Sequence, residues 1–205
     1  VYLSACPFAP PTLRIAATMN AKSSRSLQLL GLAAIAFFLA HAGYQHAHGR
    51  LENLLWACHV ADLGVGIGLL LGSRSITATS LVMLLFGVPM WLLGLATGGE
   101  FYPTSILTHV GGSLVGIYGL RALGGVADDW WKAYLAIVLL VLVSRLATPL
   151  AMNVNFAHHP WPLAREWFPT ITLHLLSLFA IWAAGLFVTQ CCLQWLLKRV
   201  SPRVA

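Results

Sequence analysis

Charge is what this chain most lacks. Only 9% of its 205 residues are Asp, Glu, Lys or Arg, while 59% are hydrophobic; a soluble domain carries about a quarter charged residues. That deficit excludes a soluble globular class and points to a chain whose solvent is lipid. Alternating apolar and polar segments of about ten residues are missing too, which argues against a spanning β-barrel. Long polar connections are absent, so there is no room for a separate soluble domain. No histidine spacing equals a recognised metal signature such as H-E-x-x-H. No convincing inverted repeat speaks for a transporter.

What is present is a set of six continuous apolar runs, at residues 27–44, 54–71, 76–96, 103–120, 130–150 and 168–190. Each is long enough to cross a hydrocarbon core of about 30 Å as a helix. The sequence therefore predicts an all-α, polytopic membrane protein built as a six-transmembrane-helix bundle. Residues 1–26 are expected to form a flexible arm, 27–197 the membrane domain, and 198–205 a basic tail. Met19 is a candidate start, which would make residues 1–18 an upstream extension. Leu3-Ser4-Ala5-Cys6 matches a lipoprotein box only loosely, because no apolar signal region precedes it. Cys191 and Cys192 are read as inert thiols at the far end of the last run.

Basic residues near span ends mark the cytoplasmic side. With six spans both termini share a side, and that side collects Arg14, Lys22, Arg25, Arg74, Arg121, Lys132, Lys198, Arg199 and Arg203. The other side has only Arg50 and Arg165, and Arg145 alone falls inside a predicted span. Both termini are accordingly expected in the cytoplasm, with a bacterial inner membrane as the default location. The net charge of +6 is then a topology signal, not a nucleic-acid footprint. The partners expected are membrane lipids, with no nucleic acid.

This topology gathers the costly polar residues in the outer third of the bundle. Cys58, His59 and Asp62 fall in the first turns of the second span, roughly 6 to 12 Å below its outer end. Ser105, Thr108 and His109 lie at similar depth in the fourth, Arg145 near the outward end of the fifth, and His174 about two turns into the sixth. Ionisable residues at membrane depth turn toward a bundle interior or a water-filled cavity, so a shared pocket is expected. Cys58 and His59 point about 100° apart on one helix, so a base for the Cys58 thiol must come from another helix, and His109 is the candidate. The pairs Gly64/Gly68 and Gly112/Gly116 offer small faces for close packing in lipid. Pro89 is expected to kink the third span. The connection 151–167, rich in Asn, His, Pro and Trp, is expected to fold as a cap over the outer face.

Ala57-Cys58-His59-Val60, His109 in a later span, and Asn153-Val154-Asn155-Phe156 before a Pro/Trp-rich segment together resemble a six-helix family that covers most of residues 27–190. It contains bacterial YwaF-type membrane proteins, a transmembrane acyltransferase for ether phospholipids and, more distantly, the androgen-induced hydrolases of fatty-acid esters. The resemblance implies Cys58 as nucleophile, His109 as catalytic histidine, and Asn153 and Asn155 as a polar motif near the outer face. The chain departs from the family in two ways: bacterial members tend to place His before Cys, and the hydrolases use threonine. The implied chemistry is acyl transfer or ester hydrolysis at the lipid surface, without a cofactor. Asp62 would orient a histidine, and Arg145, Asn153, Asn155 and His59 would hold the substrate or its oxyanion.

Two other classes stay open. His59, Asp62, His109 and His174 supply ligand types suited to zinc, and His41, His46 and His48, or His158 and His159, suit a further copper or zinc site. Alternatively the pocket binds a lipid or cofactor without catalysing anything. Taken singly, His46, His48, His158 and His159 read as loop residues, His174 as a helix-to-helix hydrogen bond, and Cys58 as a small buried hydrophobe.

Overall fold

The computed structural model describes residues 11–126 and 128–200, without the side chains of 11–23, 162–163 and 199–200. Cys6, the side chains of Arg14, Lys22 and Arg199, and the tail from residue 201 lie outside the described residues, as do the expectations attached to them.

Every regular element among the described residues is helical. Six α-helices follow in order: α1 (Pro11–Ala47), α2 (Ala57–Leu70), α3 (Arg74–Ala96), α4 (Gly112–Ala122), α5 (Trp130–Ala147) and α6 (Ile171–Val200). Short 3-10 turns cover Leu51–Leu55, Val154–Phe156 and Pro162–Trp167, and a π turn covers Leu107–Gly111 just before α4.

Among the described residues four helices are long and apolar enough to cross a membrane: Ser24–Ala47 of α1, Arg74–Ala96, Trp130–Ala147 and Ile171–Lys198. α2 has 14 residues, about 21 Å at 1.5 Å per residue, and is shorter than the run that predicted it. α4 has 11, although the helix is continuous with the π turn before it. α2 carries Cys58, His59 and Asp62, and the π turn leading into α4 carries Thr108 and His109. α2 starts late because its preceding segment winds into the 3-10 turn at Leu51–Leu55.

The outward faces are apolar. On α5, Leu135, Leu139, Leu142 and Leu146 form one exposed stripe, with Leu146 at 90%, while Ala133, Ile137, Val141 and Ser144 form the buried face. The helical spacing puts each set on its own side. An exposed leucine stripe opposite a buried serine is what a lipid solvent selects, since in water such a face would be covered.

Glycines bring the helices together. Gly31 of α1 and Gly66 of α2 cross so closely that a Cβ on either would stand 2.8 or 2.9 Å from the other's carbonyl oxygen. Gly64 and Gly68 face Ser80 and Thr77 of α3, and a Cβ at Gly68 would come within 2.7 Å of the Thr77 nitrogen. Gly116 of α4 receives Leu81 and Val65. Both glycine pairs read from the sequence therefore lie at helix contacts, and α2 packs most extensively on α3 and α1. Pro89 lies inside α3, which continues through it to Ala96. Between α2 and α3 the chain reverses at Gly72, whose φ of +62° suits glycine, and Ser73 caps α3 by accepting from the Ile76 nitrogen at 3.4 Å.

Candidate functional site

α2 begins without a side-chain cap of its own. The Ala57 nitrogen donates instead to Asn155 Oδ1 at 2.9 Å, from 98 residues away in sequence. Asn155 Nδ2 donates to the Leu55 carbonyl at 2.7 Å and to Ser144 Oγ at 2.9 Å. One buried asparagine thus ties the start of the Cys58 helix to α5 and to the 151–167 connection. Asn153 does the same within that connection: its Oδ1 accepts from the His158 and His159 nitrogens, and its Nδ2 donates to the His159 carbonyl.

Asn153, Asn155 and Phe156 all have left-handed backbones, with φ of 45°, 55° and 55°. Asn tolerates this region and Phe does so at a cost. Arg145 Nη1 donates to the Ala157 carbonyl at 2.8 Å, His158 Nε2 to the Thr148 carbonyl at 3.1 Å and His174 Nε2 to the Phe156 carbonyl at 2.8 Å. The connection is thus folded down onto α5 and α6 as a cap.

Beneath the cap lies a cavity of about 720 Å³. Cys58 and His59 from the first turn of α2 line it, together with His109 from the π turn. Trp91, Phe86, Phe156 and Trp182 supply apolar wall, while Arg50, Glu100 and Tyr102 stand at a polar rim. The rim is closed on itself. Arg50 pairs with Glu100 and donates to the Tyr102 hydroxyl at 2.9 Å, and that hydroxyl donates to Glu100 at 2.7 Å. Arg50, and then Tyr102, hold the Glu100 carboxyl below the usual carboxylate range.

Three histidine rings meet on one flank of the cavity. His41 and His59 have centroids 4.1 Å apart, and His59 and His109 meet edge to face at 5.5 Å. His41 is held by a directional chain in which Asn53 Nδ2 donates to Gln45 Oε1 and Gln45 Nε2 to His41 Nε2. His41 Nδ1 must then carry the hydrogen that it gives to Thr104 Oγ1 at 2.9 Å. The same reasoning fixes His109: its Nδ1 lies 2.8 Å from the Ser105 carbonyl, an acceptor only, so Nδ1 bears the hydrogen and Nε2 the lone pair. That Nε2, like His59 Nδ1, is buried without a hydrogen-bond partner. Trp91 stacks on the His109 ring at 4.6 Å and 13° and fixes its plane. Cys58 is half-buried and free, and Gly87 of α3 leaves it room: a Cβ there would be 3.0 Å from Cys58 Cβ.

Several expected roles change. Asp62 is fully buried, yet neither oxygen has a partner, so it orients no histidine. Its carboxyl lies against Gly112, in a hollow that any larger residue would fill. Arg145 is exposed, and it donates to the cap. Asn153 and Asn155 line the cavity, but their amide groups are taken up by the protein. Asn153 and Asn155 thus shape the site instead of offering free donors to a substrate, and Arg145 anchors the cap.

His174 bonds beneath the cap, apart from the other three proposed ligands, and among the described residues no three His, Cys, Asp or Glu stand close enough to hold a metal ion. The zinc or copper set read from the sequence does not fit this arrangement. Of the loop histidines, His48 stacks on Tyr44, and His158 and His159 hold the cap.

The sequence assigned His41 only to a further metal site and did not place it beside His59, and it missed Gln45, Asn53 and Trp91 as members of the site. The four-residue spacing of His41 and Gln45, which puts them on one helix face, is the signal that was there to find.

The helices and the cavity together define an α-helical protein with helices apolar enough for a membrane and a thiol and histidines gathered in one hollow. None of the family models, characterised proteins or solved structures compared with this chain matches it.

Proposed function

We propose that this chain is an intramembrane lipid acyltransferase or ester hydrolase, with Cys58 as nucleophile and His109 as general base. It would work in a bacterial inner membrane with six spans, both termini in the cytoplasm and the site toward the outer leaflet. One observation carries the reading: a single cavity brings a free thiol on α2 together with a histidine on another element whose lone pair is unused. The resemblance of the Ala57–Val60, His109 and Asn153–Phe156 segments to the six-helix acyltransferase family supports it.

The cavity also suits an amphiphile. Its aromatic and methionine walls accept acyl chains, while the Arg50, Asn53 and Tyr102 rim suits a headgroup and glycerol oxygens. In the first step His109 Nε2 takes the Cys58 proton and the thiolate attacks an ester carbonyl. The tetrahedral intermediate collapses by breaking the C–O ester bond, and the leaving alkoxide takes the proton back from His109. The thioester is then resolved by water, or by an acceptor hydroxyl that gives its proton to His109, and the thiol is restored as the new C–O bond forms. Trp91 and the Ser105 carbonyl hold the histidine in its tautomer and plane, and His41 backs His59.

The test is turnover of fluorescent phospholipid esters by purified protein in lipid nanodiscs, beside metal analysis. Activity lost in both Cys58→Ala and His109→Ala, with no stoichiometric metal, is the expected result. Stoichiometric metal lost in His109→Ala, with activity intact in Cys58→Ala, would overturn it.

A further inference from the structure

The cavity around Cys58 has a polar mouth and a closed apolar end. The mouth is at the rim, where Gly98, Glu100 and Ala151 are exposed. The closed end lies on the other side of the thiol. Gly87 of α3 stands beside Cys58, and Met83, four residues back along α3, is about 6 Å further from the rim. Met83, Ile137 of α5 and Trp182 of α6 all line the cavity, and they are 4%, 1% and 5% exposed.

Behind these three residues the packing is complete. Ala133 of α5 and Leu186 of α6, each one turn further from the rim, are fully buried. On α2 the lining stops as abruptly: Ala57, Cys58 and His59 line the cavity, whereas Ala61 and Asp62, the next turn on, lie buried in the bundle. The floor is also held in place. Phe86 meets Trp182 edge to face at 6.3 Å and occupies the space where a Cβ on Gly185 would stand, so these rings lock α3 to α6 at the level of the floor.

We propose that this closed end holds the acyl chain of the substrate and limits its length, with Met83, Ile137 and Trp182 as specificity-determining residues. The substrates are then esters of short-chain acids, an assignment that rests on Cys58 as the acylated thiol. With the carbonyl carbon at the thiol, the ester oxygen and headgroup lie toward the polar rim, and the hydrocarbon tail takes the apolar end. About one helical turn of depth remains there, and a longer chain must displace packed side chains. Overpacking of that kind slows reaction by a factor of about ten to a hundred.

The experiment labels Cys58 with alkyl methanethiosulfonates, from methyl to hexadecyl, in the full chain with its other three cysteines changed to serine. The thiolate forms a mixed disulfide and methanesulfinate leaves, so the rate reads how a chain fits at the thiol without any ester turnover. Rates in Met83→Ala are divided by those of the parent protein at each length, which cancels partition of the reagent into detergent. The ratio should stay near one for the shortest chains and rise to about ten or more for chains too long for the parent cavity. Met83→Leu, of similar volume, should stay near one throughout. A Met83→Ala ratio that is the same at every length would overturn the proposal. Should Met83→Ala melt early in detergent, Ile137→Val trims the same floor more gently: a ratio that rises with length supports the proposal, and a flat one overturns it. Turnover of the matching esters separates this proposal from the acyl chemistry. Length-dependent labelling with no ester turned over leaves the chain pocket standing and removes the chemistry, whereas Cys58-dependent turnover with a flat labelling ratio does the reverse.

Discussion

Replacing Asn155 by alanine asks whether this residue meets substrate or builds the site. Its side chain is 1% exposed and makes three hydrogen bonds, to the Ala57 nitrogen, the Leu55 carbonyl and Ser144 Oγ. Ser144 can turn its hydroxyl elsewhere, but the two backbone groups cannot move without unwinding the start of α2. Leaving each unsatisfied costs about 1 to 2 kcal/mol. Alanine at φ +55° adds about 1 kcal/mol, so the total is about 3 to 5 kcal/mol.

Asn155→Gly loses the same bonds without the backbone strain and should be roughly 1 kcal/mol less damaging than Asn155→Ala. Equilibrium unfolding in mixed micelles, followed by tryptophan fluorescence, measures both. The refuting result is an Asn155→Ala protein as stable as wild type that has lost lipid turnover. Asn155 would then be a substrate contact, as the family resemblance implies, and the bonds across 98 residues would have little energetic weight.

Gly112→Ala should displace the Asp62 carboxyl from its hollow and strain α2 against α4, costing about 1 to 3 kcal/mol; the same unfolding assay checks it, and Gly94→Ala, where a Cβ meets nothing within 4 Å, is the neutral control. At the rim, Glu100 has a folded-state value held below its ordinary 4.5, so the Arg50–Glu100 contact is complete above that value and is lost as pH falls through the lowered one. Glu100→Gln should therefore behave at neutral pH as wild type does in acid, read as faster maleimide labelling of Cys58 with the other three cysteines changed to serine. His41→Ala should lower turnover without abolishing it, because its ring meets His59, which is neither the nucleophile nor the base; abolition would place it in the catalytic machinery.

Much of the architecture was legible because lipid leaves a plain mark on sequence. Apolar runs gave the helices, and the glycine pairs at 64/68 and 112/116 gave contacts that the packing contains. The cap was legible as well, since Asn, Pro and Trp in one connection need a folded partner. Helix lengths were less so. Hydropathy does not distinguish the 3-10 turn at Leu51–Leu55 from the helix that follows it, and a π turn at Leu107–Gly111 has no compositional signature.

Roles were hardest to read. Asp62 has the right spacing to serve a histidine on its own helix, yet it faces Gly112 of α4, because a glycine opposite leaves space where a histidine would fill it. Asn155 looks like a site residue by chemistry, but a helix start lacking its own cap claims its amide. His41 meets His59 and is held there by a chain running from Asn53 to Thr104, and such a chain spans elements whose relative placement no local pattern records.

The central claim is that Cys58 becomes acylated inside this cavity. The direct measurement is the intact mass of the protein after a brief pulse of a phospholipid ester, with peptide mapping and hydroxylamine release. An adduct of one acyl chain on the peptide bearing Cys58, released by hydroxylamine, absent in Cys58→Ala and strongly reduced in His109→Ala, is the predicted result. Lipid turnover that proceeds at the wild-type rate in Cys58→Ala, with no adduct at any time, would contradict it.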